Sequence, residues 1–207
     1  MDDALKDLKI PIAGINRIRF NLDGAGVRTL VVTQGCPLRC VRCINAFTQD
    51  PKGKARFVTP QQLYNEIEVD KMYFIATGGG VTIGGGEPLL HAEGITKFCR
   101  IVDGQFKVGI ETSLNAPRTN LEKLVGLIDF YLVDIKTMNP EIYRRYTGGN
   151  LKKAAENLSY LLEKTDPGQI TVRLPVIPDY VDEEEREYSR LLLENMGVRK
   201  FDLFEYV

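Results

Sequence analysis

A chain of 207 residues, 43% hydrophobic and 27% charged, has material for one well-buried domain and none of the apolar depletion that marks disorder. Its 27 basic and 28 acidic residues leave a net charge of −1, giving no overall electrostatic reason to bind nucleic acid or an anionic membrane. No apolar run has membrane-spanning length, the acidic start MDDALKDLKIPIAG is unlike a secretory signal, and the four cysteines do not form a disulfide framework. A cytoplasmic, reducing setting is expected.

In chain order, Ile15 to Phe20 reads as a short extended segment, Leu22 to Gly26 as a turn, and Arg28 to Thr33 as the first main strand. The run GCPLRCVRCIN follows at once, placing Cys36, Cys40 and Cys43 in a C-x3-C-x2-C spacing just past a strand end. Phe47 to Val58 reads as a polar connector. Thr59-Pro60-Gln61-Gln62 then opens a helix to about Asp70, with Thr59 as N-cap, Pro60 in the first turn and Gln62 closing a capping box. Val81 to Ile83 is a strand ending in glycines, and Pro88 to Val102 is helical. Lys107 to Thr112 and Phe130 to Lys136 read as strands three and four, with a short helix over Leu121 to Ile128 between them. Asn139-Pro140 starts another helix, and Leu151 to Lys164 carries a core-packing stripe at Ala154, Leu158, Leu161 and Leu162. Gln169 to Ile177 is strand five, Asp182 to Met196 a helix with an acidic N-terminal turn, and Lys200 to Tyr206 strand six.

Six strands alternating with helices imply parallel pairing and right-handed crossovers. A full eight-unit barrel needs about 250 residues. The expected fold is therefore α/β, a partial, open (β/α)6 barrel spanning 1–207 as a single domain, with 1–27 as a lead segment and 28–207 as six units. Chemistry in such folds gathers at strand C-termini, where the cysteines fall.

Thiolates favour iron–sulfur clusters and zinc. A structural zinc site closes with four ligands, often as two pairs; no second pair follows here, and the only histidine is the distant His91. An iron–sulfur cluster with one iron free of protein ligands fits better than zinc completed by a carboxylate, or than free thiols. The run GGGVTIGGGEP sets glycines and Glu87 where strand two ends. Its carboxylate, with neighbouring carbonyls, is suited to an ammonium group. Alternation puts Leu132, Asp134 and Lys136 on one face of strand four, groups Glu111 with Ser113 on strand three, and groups Arg173 with Thr171 on strand five. Inward charges of this kind either neutralise one another or bind a charged ligand. Cys99 reads as a buried hydrophobe, His91 as a packing or surface histidine, and Arg39 and Arg42 as partners of the cluster charge or a solvated pair.

Together these residues resemble the radical S-adenosylmethionine (SAM) superfamily, and within it the glycyl radical enzyme activating enzymes of the pyruvate formate-lyase type. The resemblance runs through DGAGVRT, GCPLRCVRCIN, GGGVTIGGGEP, VDIKTMNPEIYRRYTG and RLPVIP. It implies a [4Fe–4S] cluster on Cys36, Cys40 and Cys43, and SAM held by Arg42, Ile44, Gly85, Gly86, Glu87, Ser113, Asp134, Lys136 and Arg173. It also implies a monovalent cation on Glu111, Thr112 and Asp134, an oxidoreductase activity, a glycyl radical enzyme as protein substrate, and flavodoxin or ferredoxin as reductant. The sequence departs from that pattern at Arg42, where an aromatic residue is common, at Ile44, where histidine is common, and at Val207, which replaces a histidine that helps hold the nucleoside. A radical SAM enzyme acting on another peptide or a small molecule, and an inactive cluster- or zinc-binding regulator, are the other readings.

Overall fold

The computed structural model describes residues 8–206. The first seven residues of the acidic start, and the Val207 departure, lie outside them. One eight-stranded sheet runs in the order β3-β1-β2-β4-β5-β6-β7-β8. Six of its strands, β2 (Val27–Thr33), β4 (Gly80–Gly85), β5 (Lys107–Thr112), β6 (Phe130–Asp134), β7 (Ile170–Val176) and β8 (Lys200–Glu205), are parallel neighbours in chain order. With β3 and β8 as unjoined edges the barrel is open, the (β/α)6 arrangement that the alternation of elements implies.

The sequence reading changes at the start of the chain. The segment expected over Ile15 to Phe20 begins earlier, as β1 (Ile10–Phe20), and folds back antiparallel on β2. The expected connector Phe47 to Val58 holds a 3-10 turn at Ala46–Thr48 and a three-residue strand, β3 (Arg56–Val58), paired with β1. The lead segment is thus part of the sheet, because Ile10 and Ile12 alternate into the core.

Helices α1 (Pro60–Ile67), α3 (Ala92–Val102), α6 (Leu151–Lys164) and α7 (Glu183–Asn195) are the longer crossovers. The Thr59 capping box forms as read, with Gln62 N donating to Thr59 Oγ1 at 3.2 Å and Thr59 N to Gln62 Oε1 at 2.9 Å. Glu68–Asp70 tightens to 3-10 geometry, and a further helix, α2 (Lys71–Thr77), follows. The helix expected over Leu121 to Ile128 lies earlier, as α4 (Arg118–Glu122). Beyond it Leu124 N and Leu127 N donate three residues back, and Gly126 at φ +82° ends the turn. Asn139 caps α5 (Pro140–Thr147), and Asp182 caps α7 by accepting from Glu185 N at 2.8 Å.

One face of the parallel sheet supplies Val31, Ile83, Ile110, Val133 and Val172 to a core shared with Leu63, Phe98, Leu158 and Leu193 from the helices. The other face lines the interior. At its N-terminal end the interior is plugged by Arg28, only 1% exposed, whose Nε donates to Thr82 Oγ1 at 3.1 Å and whose guanidinium lies 4.7 Å from the Phe130 ring centre. Burial lowers its pKa to about 10. Gly109 makes room for the plug, since a Cβ there would overlap the Phe130 ring. This plug closes the N-terminal end of the interior.

Candidate active site

At the opposite end of the interior lies a cavity of about 430 Å³, within the range of small-molecule sites. The thiols of Cys36, Cys40 and Cys43 line one side of it, half-buried and unpaired. Their loop leaves β2 and is tied down by backbone bonds: Gly35 N to Thr48 O at 2.7 Å, Arg39 N to Thr147 O at 2.7 Å and Val41 N to Tyr146 O at 3.1 Å. Arg39 also folds back on the loop, donating to Cys36 O at 2.7 Å and Leu38 O at 2.8 Å. Burial pushes the Cys36 thiol up to about 12 and that of Cys40 to about 11, with Lys136 pulling Cys40 back.

The glycine-rich loop after β4 is stitched to this one. Gly86 N donates to Thr33 O at 3.1 Å, and Glu87 N to Gly35 O at 2.8 Å, the residue before Cys36. Such contact demands glycine: a Cβ on Gly86 would stand 2.9 Å from Thr33 O and closer still to Gly35 O. Glu87 is 1% exposed, and its carboxylate accepts four bonds, from Thr112 Oγ1 at 2.6 Å, Leu89 N at 3.2 Å, Ser113 N at 2.9 Å and Ser113 Oγ at 2.6 Å. Burial raises its pKa against the pull of those bonds. A carboxylate has about four lone-pair positions, so this one is filled. Its bonds fix the ends of β4 and β5 against each other.

The opposite wall is ionic. Arg173 on β7 contacts Glu111 on β5 through Nη1 and donates from Nε to Asp202 on β8 at 3.2 Å. Lys136 Nζ lies 2.9 Å from Asp134 Oδ1 and 3.2 Å from Tyr206 Oη. Burial is the largest influence on both cations and works against their charge, but Glu111, Asp134 and Asp202 together at Arg173, and Asp134 with Tyr206 at Lys136, hold their pKa values above the ordinary ones. The inward charges are paired with one another and also line the cavity.

Of the cofactor residues named from the sequence, Ile44, Gly85, Gly86, Glu87, Ser113, Asp134, Lys136 and Arg173 line this cavity, as do Glu111 and Thr112. Arg42 stands apart: its side chain turns to Asp179, Nη2 to Oδ2 3.3 Å, and is not among the lining residues. His91 is a packing residue, with Nε2 2.7 Å from Gln34 O, and Cys99 sits in the core. The sequence reading missed one wall. Asp202, Phe204 and Tyr206 line the cavity from the end of the chain, and Asn21 and Leu22 from the turn between β1 and β2. The period-two spacing of the first three was the available signal.

The residues fit a cluster and a zwitterionic cofactor: three thiols and a tight glycine loop share one cavity with five charged side chains, Glu111, Asp134, Lys136, Arg173 and Asp202, on its far wall. Among the described residues no three His, Cys, Asp or Glu side chains are gathered so as to hold a single metal ion, and no helix is long and apolar enough to cross a membrane.

The family model described as Radical SAM superfamily matches residues 30–192. The Pyruvate formate-lyase 1-activating enzyme of Escherichia coli (strain K12) is 32% identical over 200 residues, covering 89% of this chain and 76% of that protein. The Pyruvate formate-lyase-activating enzyme of Staphylococcus aureus (strain USA300) is 32% identical over 195 residues, with the same shares. Among solved structures, Streptococcus suis SuiB bound to S-adenosylmethionine superposes with a TM-score of 0.64 at 16% identity, covering 83% of this chain and 38% of that one, a likeness of fold.

Proposed function

We infer the activity of this chain from its kinship, for it belongs to the radical SAM superfamily and has as relatives the activating enzymes of pyruvate formate-lyase. It is an oxidoreductase that activates a glycyl radical enzyme. The [4Fe–4S] cluster and SAM, when bound, supply a reductive cleavage whose 5′-deoxyadenosyl radical takes a hydrogen atom from a glycine of the partner.

What this chain's residues contribute follows from their positions. Cys36, Cys40 and Cys43 hold the cluster, and Arg39, donating to the carbonyls of Cys36 and Leu38, keeps the loop in shape. The carbonyls of the Gly85-Gly86 loop receive the methionine amino group, because Glu87 has no acceptor position left. Ser113, Asp134, Lys136 and Arg173 bind and orient the rest of the cofactor and keep water from the reacting end, while Ile44 covers the mouth. The electron comes from flavodoxin or ferredoxin, and the setting is cytoplasmic.

The observation that carries this reading is the Glu87 N to Gly35 O bond, which sets the glycine loop directly against the cysteine loop. Anaerobic reconstitution, addition of SAM and a strong reductant, and assay of 5′-deoxyadenosine test it. Mixing with a glycyl radical enzyme should then give a glycyl radical signal by electron paramagnetic resonance. A fully loaded protein that yields no deoxyadenosine sinks the reading.

A further inference from the structure

Tyr146 of α5 is not among the residues that line the cavity, yet it stands against the cysteine loop. The loop amides on either side of Cys40 end on its helix: Arg39 N donates to Thr147 O at 2.7 Å and Val41 N to Tyr146 O at 3.1 Å. These carbonyls belong to the last turn of α5, where a helix has no partners of its own to offer, so Cys40 is pinned to the helix end. Its side chain packs into the small apolar cluster that Tyr146 forms with Ile177 and Val181. The Tyr146 ring is itself held edge-on to Tyr180, with ring centres 5.0 Å apart and planes at 66°.

Within this packing the phenol proton has nowhere to go. Tyr146 is fully buried, and its Oη has no hydrogen-bond partner among the described residues. The Arg42 backbone acts on the oxygen weakly and from outside hydrogen-bond geometry, and an amide N–H meets only the lone pairs of a hydroxyl. Burial first, then Tyr206, raise the phenol pKa, so the group stays a donor. Tyr143, one turn earlier on the same helix, shows the ordinary arrangement: its Oη accepts from Asn115 Nδ2 at 2.8 Å. A buried hydroxyl without a partner carries a desolvation cost that a later acceptor would remove. Cys40 is the neighbour that changes in this way. Its sulfur is a weak acceptor as a thiol and a negatively charged one as an iron ligand.

We propose that Tyr146 is a positioning residue for the cluster, its hydroxyl donating to the Cys40 sulfur once that sulfur ligates iron and so making the cluster easier to reduce. This rests on the three cysteines holding the [4Fe–4S] cluster. A hydrogen bond to a ligand sulfur favours the more negative, reduced state, which is how such bonds set cluster potentials.

The test is a redox titration of the anaerobically reconstituted protein without SAM, so that activity does not enter. In Tyr146→Phe the equilibrium constant for one-electron reduction by a fixed mediator should fall about three- to ten-fold, a potential lower by up to about 59 mV. A smaller fall, or a rise, overturns the proposal. Tyr146→3-fluorotyrosine reverses the sign: the more acidic phenol is the stronger donor and should raise the same constant above that of the unaltered protein. No rise there overturns the proposal, and this arm decides it if the phenylalanine variant does not load. Urea unfolding of cluster-free Tyr146→Phe should have its midpoint at or above that of the unaltered chain, since no bond is lost. A lower midpoint shows that the hydroxyl is already bonded without the cluster and removes the premise. A loaded protein whose potential does not move refutes this proposal alone, whereas an unaltered protein that takes up no cluster overturns the functional reading with it.

Discussion

The two walls of the cavity are built on opposite terms. On the cysteine side the backbone is bonded at Gly35, Arg39 and Val41, yet none of the three thiols is tied up in a disulfide. Across the cavity, from the glycine loop to the ionic wall, the carboxylates are already engaged: Glu87 by four donors, Glu111 by Arg173 and Asp134 by Lys136. One wall is complete only when a cluster arrives; the other is preorganised by the chain itself. Preorganised donors and charges need no rearrangement when a ligand binds, which favours orientation over mere capture.

Breaking the first wall should have the largest functional effect and little structural cost. Cys36→Ala, and equally the changes at Cys40 and Cys43, should lower the iron bound after reconstitution and bring deoxyadenosine formation to background. The cluster-free chain should meanwhile lose less than about 1 kcal/mol of stability by urea unfolding, since these thiols are only half-buried. A large loss of stability in the cluster-free protein would show that the thiols are structural.

Breaking the second wall should do the reverse. Glu87→Gln keeps the shape but turns an amide NH2 toward two donors, and should cost about 2–4 kcal/mol of stability in the cluster-free protein, the scale for buried donors losing a charged acceptor. Iron loading of the surviving folded fraction should be retained. Between these lies Gly86→Ala, which pushes a methyl group against Thr33 O and Gly35 O and so parts the two walls. About 1–3 kcal/mol of strain is expected, with cluster content near normal and SAM binding at least about ten-fold weaker, because misplacement by an ångström is enough to lose orientation. Unchanged SAM affinity would remove the glycine loop from the site.

Most of this division was legible in the sequence. The cysteine spacing, the glycine run before Glu87 and the period-two placement of Asp134 with Lys136 located one wall and most of the other, because each is a local pattern fixed by strand geometry. What escaped depended on contacts distant in sequence. That Glu87 is saturated follows from residues 25 and 26 positions later, Thr112 and Ser113, whose hydroxyls meet it only once β4 and β5 are paired. That Arg173 reaches Glu111 follows from β5 and β7 flanking β6, so that the two side chains meet over one intervening strand, which no spacing reveals. The edge strand β3 was hidden for another reason: three residues are too few to show alternation, and the strand exists because Ile10 to Ile12 offers it an edge.

The smallest expected effect tests where the cavity ends. The Arg42 side chain is paired with Asp179, which is 82% exposed, and an ion pair so open to solvent is screened and entropically costly to hold. Arg42→Ala should therefore change stability by no more than about 0.5 kcal/mol. Because the guanidinium turns away from the thiols, SAM affinity should stay within about two-fold of the unaltered protein, on the scale of a surface charge at a distance. The neighbouring Ile44, which does line the cavity, provides the contrast: Ile44→Ala should weaken SAM measurably by removing apolar cover at the mouth. If Arg42→Ala instead weakens SAM more than Ile44→Ala does, the side chain swings inward when the cofactor binds, and the cysteine wall includes a charge of its own.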